Sequence, residues 1–176
     1  MQVANYRGVS EVLAGRRAFL RGKTKSAGNA PRPPWALAGG AFESCCTRCG
    51  DCLAACPRRI LVVGEGGYPM VDFTRGECTF CGDCVARCGP GALCRQGDDA
   101  PWSLMAMVTE GCLAERGVEC RVCGEACLAG AIGFQPRIGG MASPVVQASA
   151  CTGCGACVSV CPTGSVKVGL PEANLP

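Results

Sequence analysis

Cysteine is the residue type in this chain whose number and spacing most clearly indicate chemistry. Of the 176 residues, 18 are cysteine, and most of these fall into four compact runs. Three runs have the spacing C-x₂-C-x₂-C-x₃-C: Cys46, Cys49, Cys52 and Cys56; Cys78, Cys81, Cys84 and Cys88; and Cys151, Cys154, Cys157 and Cys161. This spacing is typical of cysteines that bind [4Fe–4S] clusters, because two-residue spacers wrap one short loop around three corners of a cube.

The remaining run departs from this spacing. It consists of Cys112, Cys120, Cys123 and Cys127, with seven residues between its first two cysteines. We interpret the five extra residues as a loop insertion, since all four thiolates are retained. In the regular runs a glycine follows the second cysteine, where it permits a positive φ and close approach of backbone N–H groups to sulfur. In the irregular run, Gly124 follows the third cysteine instead.

The four runs predict four [4Fe–4S] clusters bound in two pairs. In paired clusters of this kind, the fourth cysteine of each run ligates the other cluster of the pair. The predicted ligand sets are Cys46, Cys49, Cys52 and Cys88 (set 1); Cys78, Cys81, Cys84 and Cys56 (set 2); Cys112, Cys120, Cys123 and Cys161 (set 3); and Cys151, Cys154, Cys157 and Cys127 (set 4). Ligation of each cluster entirely within its own run is the alternative.

Two other uses of cysteine compete with iron–sulfur binding. A disulfide scaffold is usual in cysteine-rich secreted chains, but no cleavable signal peptide is visible. Structural zinc suits C-x₂-C pairs separated by longer loops, and it suits four cysteines packed into eleven residues poorly. Cys45 and Cys94 lie outside the four sets, and we expect both to be small buried hydrophobic residues.

Several classes of protein are excluded by composition. The chain has no histidine, which excludes Ser-His-Asp and Cys-His nucleophiles, Cys₂His₂ zinc sites, histidine-ligated haem and Rieske centres. No dinucleotide-binding or phosphate-binding glycine motif is present, so we do not expect an enzyme. No apolar run approaches the length that a membrane span requires, so no transmembrane segment is expected.

Charge is distributed unevenly along the chain. Residues 1–32 carry seven basic residues and one acidic residue, whereas the formal charge of the rest is −3. Each oxidised cluster with its four thiolates would add a charge of about −2, which makes the body strongly acidic. We therefore expect no binding to nucleic acid. The basic arm is interpreted as a docking segment for a partner, with a solvated amphipathic helix as the alternative.

The elements that must position the cysteines are short. Alternating apolar residues and glycine-rich turns predict two hairpins, a terminal strand follows the last run, and a brief helix passes through the end of each run. The hairpins are placed at 60–63 with 70–73 and at 131–134 with 144–147, the strand at 166–168, and the helices near 53–55, 85–87, 125–127 and 158–160. The predicted fold class is α+β, with two tandem bacterial 2[4Fe–4S] ferredoxin-like domains. The predicted divisions are 1–40 (basic arm and linker), 41–100 (first domain), 101–170 (second domain) and 171–176 (tail).

Residues beyond the cysteines carry a resemblance to a known family. The landmarks are Arg16-Arg17-Ala18-Phe19-Leu20, Arg32-Pro33-Pro34-Trp35, Val118-Glu119-Cys120-Arg121, Gly66-Gly67-Tyr68-Pro69 and Phe134-Gln135-Pro136-Arg137-Ile138-Gly139-Gly140. With the four runs, they make nearly the whole chain resemble the NapF family of ferredoxin-type accessory proteins associated with periplasmic nitrate reductase. The resemblance implies a cytoplasmic protein with four [4Fe–4S] clusters.

The same resemblance implies a partner. It predicts contact with the catalytic molybdoenzyme subunit before export and support of its iron–sulfur maturation, including by supplying electrons from an unknown donor. The candidate partner-binding residues lie in the basic arm: Arg16, Arg17, Phe19 and Leu20. A general electron-transfer polyferredoxin, acting between a reductase and an oxidoreductase, is the alternative function.

Overall fold

The computed structural model describes residues 31–171. The four candidate partner-binding residues of the basic arm lie outside this range. The helices are α1 (Ala41–Cys45), α2 (Asp51–Ala55), α3 (Asp83–Ala86), α4 (Val122–Glu125) and α5 (Ala156–Ser159). The strands are β1 (Leu61–Val63), β2 (Pro69–Val71), β3 (Met105–Val108), β4 (Ile132–Arg137), β5 (Gly140–Val146) and β6 (Val166–Gly169).

In the first half of the chain, a short hairpin connects the first two cysteine runs. Strands β1 and β2 pair antiparallel, with Leu61 opposite Val71. Helices α2 and α3 pack against each other, and α2 also contacts β1. Phe42 and Ile60 are the largest fully buried side chains of the core that these elements share. A single antiparallel bridge between Ala36 and Leu93 joins the start of this half to its end.

The second half repeats this plan with longer strands. Strands β4 and β5 form an antiparallel hairpin between the last two runs, with a register irregularity near Gln135. Helices α4 and α5 pack against each other, and α4 contacts β4. Strands β3 and β6 join the start and end of this half, as the single bridge does in the first half. Ala106, Ile132 and Val166 belong to its buried core.

These elements confirm the predicted fold class of two tandem ferredoxin-like units with mixed α and β structure. Both predicted hairpins and the terminal strand are present, with β4 and β5 longer than expected. The four helices near the cysteine runs each begin two or three residues before the predicted positions. Helix α1 and strand β3 were not predicted.

The segment before α1 packs onto the first half. Pro33, Pro34 and Trp35 are buried. The Trp35 backbone N–H donates to the Pro101 carbonyl at 2.8 Å, and its indole N–H donates to the Asp99 carbonyl at 2.9 Å. The guanidinium of Arg95 covers the same indole ring at 5.1 Å. The linker predicted for this segment therefore contacts the residues that lead into the second half, and the domain division at residue 40 stays a prediction.

No helix within residues 31–171 is both long enough and apolar enough to cross a membrane.

Candidate iron–sulfur sites

The three regular cysteine runs form the same loop. In each, the glycine after the second cysteine has φ of +82° or +83° and is the N-cap residue of the next helix: Gly50 for α2, Gly82 for α3 and Gly155 for α5. A side chain at such a φ is strained, which explains the glycine. The third cysteine of each run then lies one residue inside the helix and is buried. The sequence prediction of positive φ at these glycines is confirmed.

Three cavities are each lined by one predicted ligand set. Set 1 lines a small cavity together with Phe42 and Leu93. Set 2 lines another together with Ile60 and Leu61. Set 4 lines a third together with Ala106. In each cavity, three thiols come from one run and the fourth from the neighbouring run, as cross-ligation requires.

The thiols surround these cavities and do not meet at a point. Within residues 31–171, no three of them, alone or with carboxylates, converge closely enough to hold a single metal ion. A zinc ion would need four ligands about 2.3 Å from one centre. The donor set in each cavity is four thiols, the ligands that [4Fe–4S] clusters use, so the residues present fit such a cluster.

Set 3 is assembled less regularly. Cys112 and Cys120 lie close enough to Cys123 to influence its ionisation, and Cys123 is buried. Cys161 packs against the same buried core as Cys123. The inserted residues fold back locally, because the Val118 N–H donates to the Leu113 carbonyl at 2.9 Å. The insertion therefore keeps Cys112 near its own run.

The displaced glycine of this run has a packing explanation. A Cβ at Gly124 would lie 2.5 Å from the Phe134 ring and 3.2 Å from the Ile132 carbonyl oxygen. The ring of Phe134 is held in place by the guanidinium of Arg121 at 5.1 Å. The N-cap residue of α4 is Arg121, whose φ of −129° needs no glycine. The hairpin thus requires a glycine at position 124, and the helix start does not require one at 121.

The central thiols of the sets resist ionisation in the absence of metal. Burial first, and neighbouring thiols of the same set second, raise the pKa of Cys52 to about 11 and the pKa of Cys84 and Cys157 to about 12. The same two causes raise the pKa of Cys123. These neighbours are Cys46, Cys88 and Cys49 for Cys52; Cys78, Cys81 and Cys56 for Cys84; Cys154, Cys151 and Cys127 for Cys157; and Cys112 and Cys120 for Cys123. Iron must therefore displace protons when it binds.

Backbone N–H groups point at several cysteine sulfurs. Leu93 donates to Cys88 at 3.3 Å and Ala131 donates to Cys127 at 3.3 Å, four or five residues after the last cysteine of a run. Ser165 does the same for Cys161 at 3.3 Å. Such bonds stabilise negative charge on sulfur and tune cluster potential. The sequence analysis missed these donors, although their offset of four or five residues from the last cysteine is a usable signal.

Cys161 has the most favourable surroundings for a thiolate. Burial acts to raise its pKa, but hydrogen bonds from the side chain and backbone of Thr163 and from the backbone of Ser165 and Val166 outweigh burial and lower the pKa. The Thr163 hydroxyl lies 3.7 Å from the Cys161 sulfur and 2.7 Å from the Ser165 hydroxyl.

The two cysteines outside the sets correct one expectation. Cys45 and Cys94 are exposed, so the prediction that both are small buried hydrophobic residues is wrong. Cys45 ends α1, and Cys94 follows the bridged residue Leu93; both positions face solvent. Each of the eighteen cysteines is a free thiol, so residues 31–171 contain no disulfide scaffold.

Comparison with known families defines the class of protein first. Residues 45–93 match the family model described as a 4Fe-4S dicluster domain, and residues 117–165 match a second model with the same description. The repeated cysteine loops and the two matches together define an iron–sulfur protein of ferredoxin type with two tandem dicluster domains. Its architecture is that of an electron carrier.

Relatives define the family. "Ferredoxin-type protein NapF" of Haemophilus influenzae (strain ATCC 51907 / DSM 11121 / KW20 / Rd) is 43% identical over 169 residues, which cover 90% of this chain and 96% of the relative. The protein of the same name from Escherichia coli (strain K12) is 40% identical over 164 residues, covering 93% and 99%. "Ferredoxin-type protein NapG" of the same strain is 34% identical over 187 residues, covering 84% and 81%. The chain belongs to the NapF family of ferredoxin-type proteins, which confirms the resemblance found in the sequence.

Proposed function

We propose that the chain binds four [4Fe–4S] clusters through the cross-ligated sets 1 to 4. The observation that carries the proposal is that three separate cavities each combine three thiols of one run with the fourth thiol of its neighbour. Two dicluster domains supply the same number of clusters. Domain boundaries at residues 40, 100 and 170 form part of this proposal.

The clusters supply one-electron redox chemistry when they are bound. The chain's own residues hold the thiolates, with one thiol of each run buried inside a helix. They also exclude water by packing Phe42, Ile60 and Ile132 near the cysteine loops. Backbone N–H groups of Leu93, Ala106 and Ser165 are positioned to stabilise charge on sulfur. These are the tasks of an electron carrier and require no substrate pocket.

At a finer level, the function is that of a cytoplasmic accessory factor in the periplasmic nitrate reductase system. The factor contacts the precursor of the catalytic molybdoenzyme subunit before export and supports its iron–sulfur maturation by supplying electrons. The support for this role is the match to NapF proteins over at least nine-tenths of both chains and the resemblance at the non-cysteine landmarks.

The basic arm is the proposed contact with that precursor. Its residues Arg16, Arg17, Phe19 and Leu20 combine positive charge with apolar side chains, which suits an acidic surface that also has an apolar groove. The arm and the body have opposite formal charges, so a partner could be attracted to the arm without being attracted to the body.

Binding to the unexported precursor tests the arm. Deletion of residues 1–30 is expected to abolish binding, measured by pull-down or calorimetry, while iron content stays at the full-length value. A matched pair of full-length variants sharpens the test: R16E/R17E should abolish binding, whereas R16K/R17K should retain most of it. Undiminished binding of the deletion protein would contradict the role of the arm.

A general electron-transfer polyferredoxin is the second candidate. It is favoured by the contact between cysteine loops of the two halves, where the Cys78 N–H meets the Cys154 carbonyl at 2.8 Å. This candidate predicts four clusters that are reduced and reoxidised reversibly by several unrelated partners. The accessory function predicts turnover that depends on the catalytic-subunit precursor, so rates with and without that precursor separate the two.

A further inference from the structure

The boundary between the two halves is a direct contact between two cysteine loops. The backbone N–H of Cys78, the first cysteine of the second run, donates to the carbonyl of Cys154, the second cysteine of the last run, at 2.8 Å. Cys78 belongs to set 2 and Cys154 belongs to set 4. The bond is made by backbone atoms and therefore fixes the position of one loop relative to the other, whatever the thiols hold.

One tryptophan connects the same two loops through its side chain. The indole N–H of Trp102 donates to the Thr152 carbonyl, in the loop of set 4, at 2.9 Å. The same indole meets two aromatic rings of the first half edge-on, with centroids 5.8 Å from Phe73 and 5.6 Å from Phe80. Phe80 itself lies in the loop of set 2, between Cys78 and Cys81. Trp102 therefore binds one loop through hydrogen bonding and the other through aromatic packing.

Both glycines of the set 4 loop are covered by this aromatic group. A Cβ at Gly153 would lie 2.4 Å from the Leu104 carbonyl oxygen and 2.8 Å from the Trp102 indole nitrogen. A Cβ at Gly155 would lie 2.0 Å from the ring of Phe73. No side chain fits at either position while these contacts exist. At Gly155 the loop of set 4 therefore approaches the first half more closely than a residue with a side chain would allow, whereas Gly153 approaches the segment that carries Trp102.

The first-half loops offer a matched comparison. Gly50 and Gly82 occupy the same position as Gly155 in their own loops and have the same φ. A Cβ at either of them would meet nothing within 4 Å. All three positions need glycine for backbone conformation, but only at Gly155 does the structure also show a neighbouring ring that excludes a side chain. The ring of Phe73 is therefore a second reason, besides backbone conformation, why position 155 requires glycine.

We propose that Phe73, Trp102 and Gly155 are positioning residues that hold sets 2 and 4 against each other, so that the clusters bound there are the adjacent pair across the domain boundary. Sets 1 and 3 then lie at the outer ends of the chain of four. The proposal rests on the proposed function, because it takes the four ligand sets as assigned. It adds the spatial order of the four clusters and names the residues that hold the two inner clusters next to each other.

Full-length variants that keep only two clusters test the order. C49S/C120S removes one ligand each from sets 1 and 3 and should retain sets 2 and 4, with about eight irons. Reduced and examined by EPR, it should show a signal split by magnetic interaction between two clusters. C81S/C154S keeps sets 1 and 3, and it should show two independent signals with no splitting.

The positioning residues are tested in the four-cluster protein and in C49S/C120S. G155A is expected to weaken or abolish the splitting between sets 2 and 4, while iron and sulfide stay at the level of G50A, which carries the same backbone strain without a ring to displace. W102A should have the same effect on the splitting. F73A, which removes the ring that packs on both Trp102 and Gly155, should also weaken the splitting.

The possible outcomes distinguish the inference from the proposed function. Eight irons in C49S/C120S with no splitting would overturn the inference and leave the ligand sets intact. If C49S/C120S fails to retain eight irons, the proposed ligand sets are contradicted, and the inference, which takes them as assigned, falls with them. Equal splitting in G155A and G50A would show that Phe73 does not position the loops and would overturn its role.

Discussion

Helix α2 in the first half and helix α4 in the second half follow equivalent cysteine loops but begin in different ways. The N-cap residue of α2 is Gly50 with φ of +83°, whereas the N-cap residue of α4 is Arg121 with φ of −129°. Behind Cys52 the chain places Leu53, which packs on the first core, whereas behind Cys123 it places Gly124 against the ring of Phe134. The loop can thus be supported by its own helix or by the neighbouring hairpin.

The hairpins of the two halves also differ, because the second is longer. In the first half β1 and β2 are three residues each, whereas β4 and β5 have six and seven residues. The longer hairpin also contacts the insertion of the irregular run, since Arg137 pairs with Glu115 at 2.6 Å. Each run thus keeps four thiols, although the spacing of the first two thiols and the protein around them differ between the halves.

Loss of a buried ligand should produce the largest effect in either half. C52S and C123S each remove the buried cysteine of a run, and each is expected to lose one cluster, about four of sixteen irons. We expect the affected half also to lose secondary structure, because metal binding and folding are coupled. Iron analysis and circular dichroism measure both losses. C94S, at an exposed cysteine outside the sets, is the control and should retain full iron.

Disturbing the contact between α4 and the neighbouring hairpin should produce an intermediate effect that is confined to the second half. G124A places a methyl group 2.5 Å from the ring of Phe134 and should destabilise the protein by about 1–3 kcal/mol, since overpacking displaces the ring. Denaturant unfolding measures the change. G133A is the matched control, because a Cβ there meets nothing within 4 Å. A loss of stability no greater in G124A than in G133A would contradict the packing explanation.

Removing the Thr163 hydroxyl, which lies beside the Cys161 sulfur, should produce the smallest effect. T163V removes a hydrogen bond to the Cys161 sulfur, so the reduction potential of the set 3 cluster should fall by tens of millivolts, where about 59 mV is a tenfold change in a one-electron equilibrium. Redox titration followed by EPR measures the shift. S159A, at an exposed serine on α5, is the control and should leave the potential unchanged.

The same substitution predicts a change with pH. The folded pKa of Cys161 is lowered, so its thiolate is favoured above that pKa and is lost as pH falls through it. T163V should raise the pKa, and protons should then compete with iron at a higher pH. Iron release from T163V on acidification is therefore expected to begin at higher pH than in the unsubstituted protein. Identical release profiles would show that the Thr163 hydroxyl does not influence this ligand.

Much of this fold could be predicted because its determinants are local. The cysteine spacing predicts the loops, and alternation around Gly64 and Gly139 predicts the hairpins. The pairing of β3 with β6 could not be predicted, since residues such as Met105 and Gly169 are distant in sequence and the strands are only four residues long. Helix α1 was missed because its five residues show no periodicity.

The features of the candidate site also fall into two groups: those that local sequence predicts and those that depend on residues distant in sequence. The cross-ligated sets are a prediction from spacing, because a cluster imposes its ligand geometry on whichever chain binds it. The position of Gly124 could not be explained from sequence, since the reason is a ring ten residues further along the chain. The contact of Trp102 with Phe73 joins the two halves and has no local signal. The exposure of Cys45 and Cys94 was mispredicted from the general tendency of cysteine to be buried.

The central claim is that sixteen cysteines hold four [4Fe–4S] clusters. Iron and acid-labile sulfide on anaerobically purified protein test it most directly, with EPR after reduction to identify the cluster type. We predict about sixteen irons and sixteen sulfides per chain, with EPR signals of reduced [4Fe–4S] clusters. A protein that carries zinc and no labile sulfide would contradict the claim.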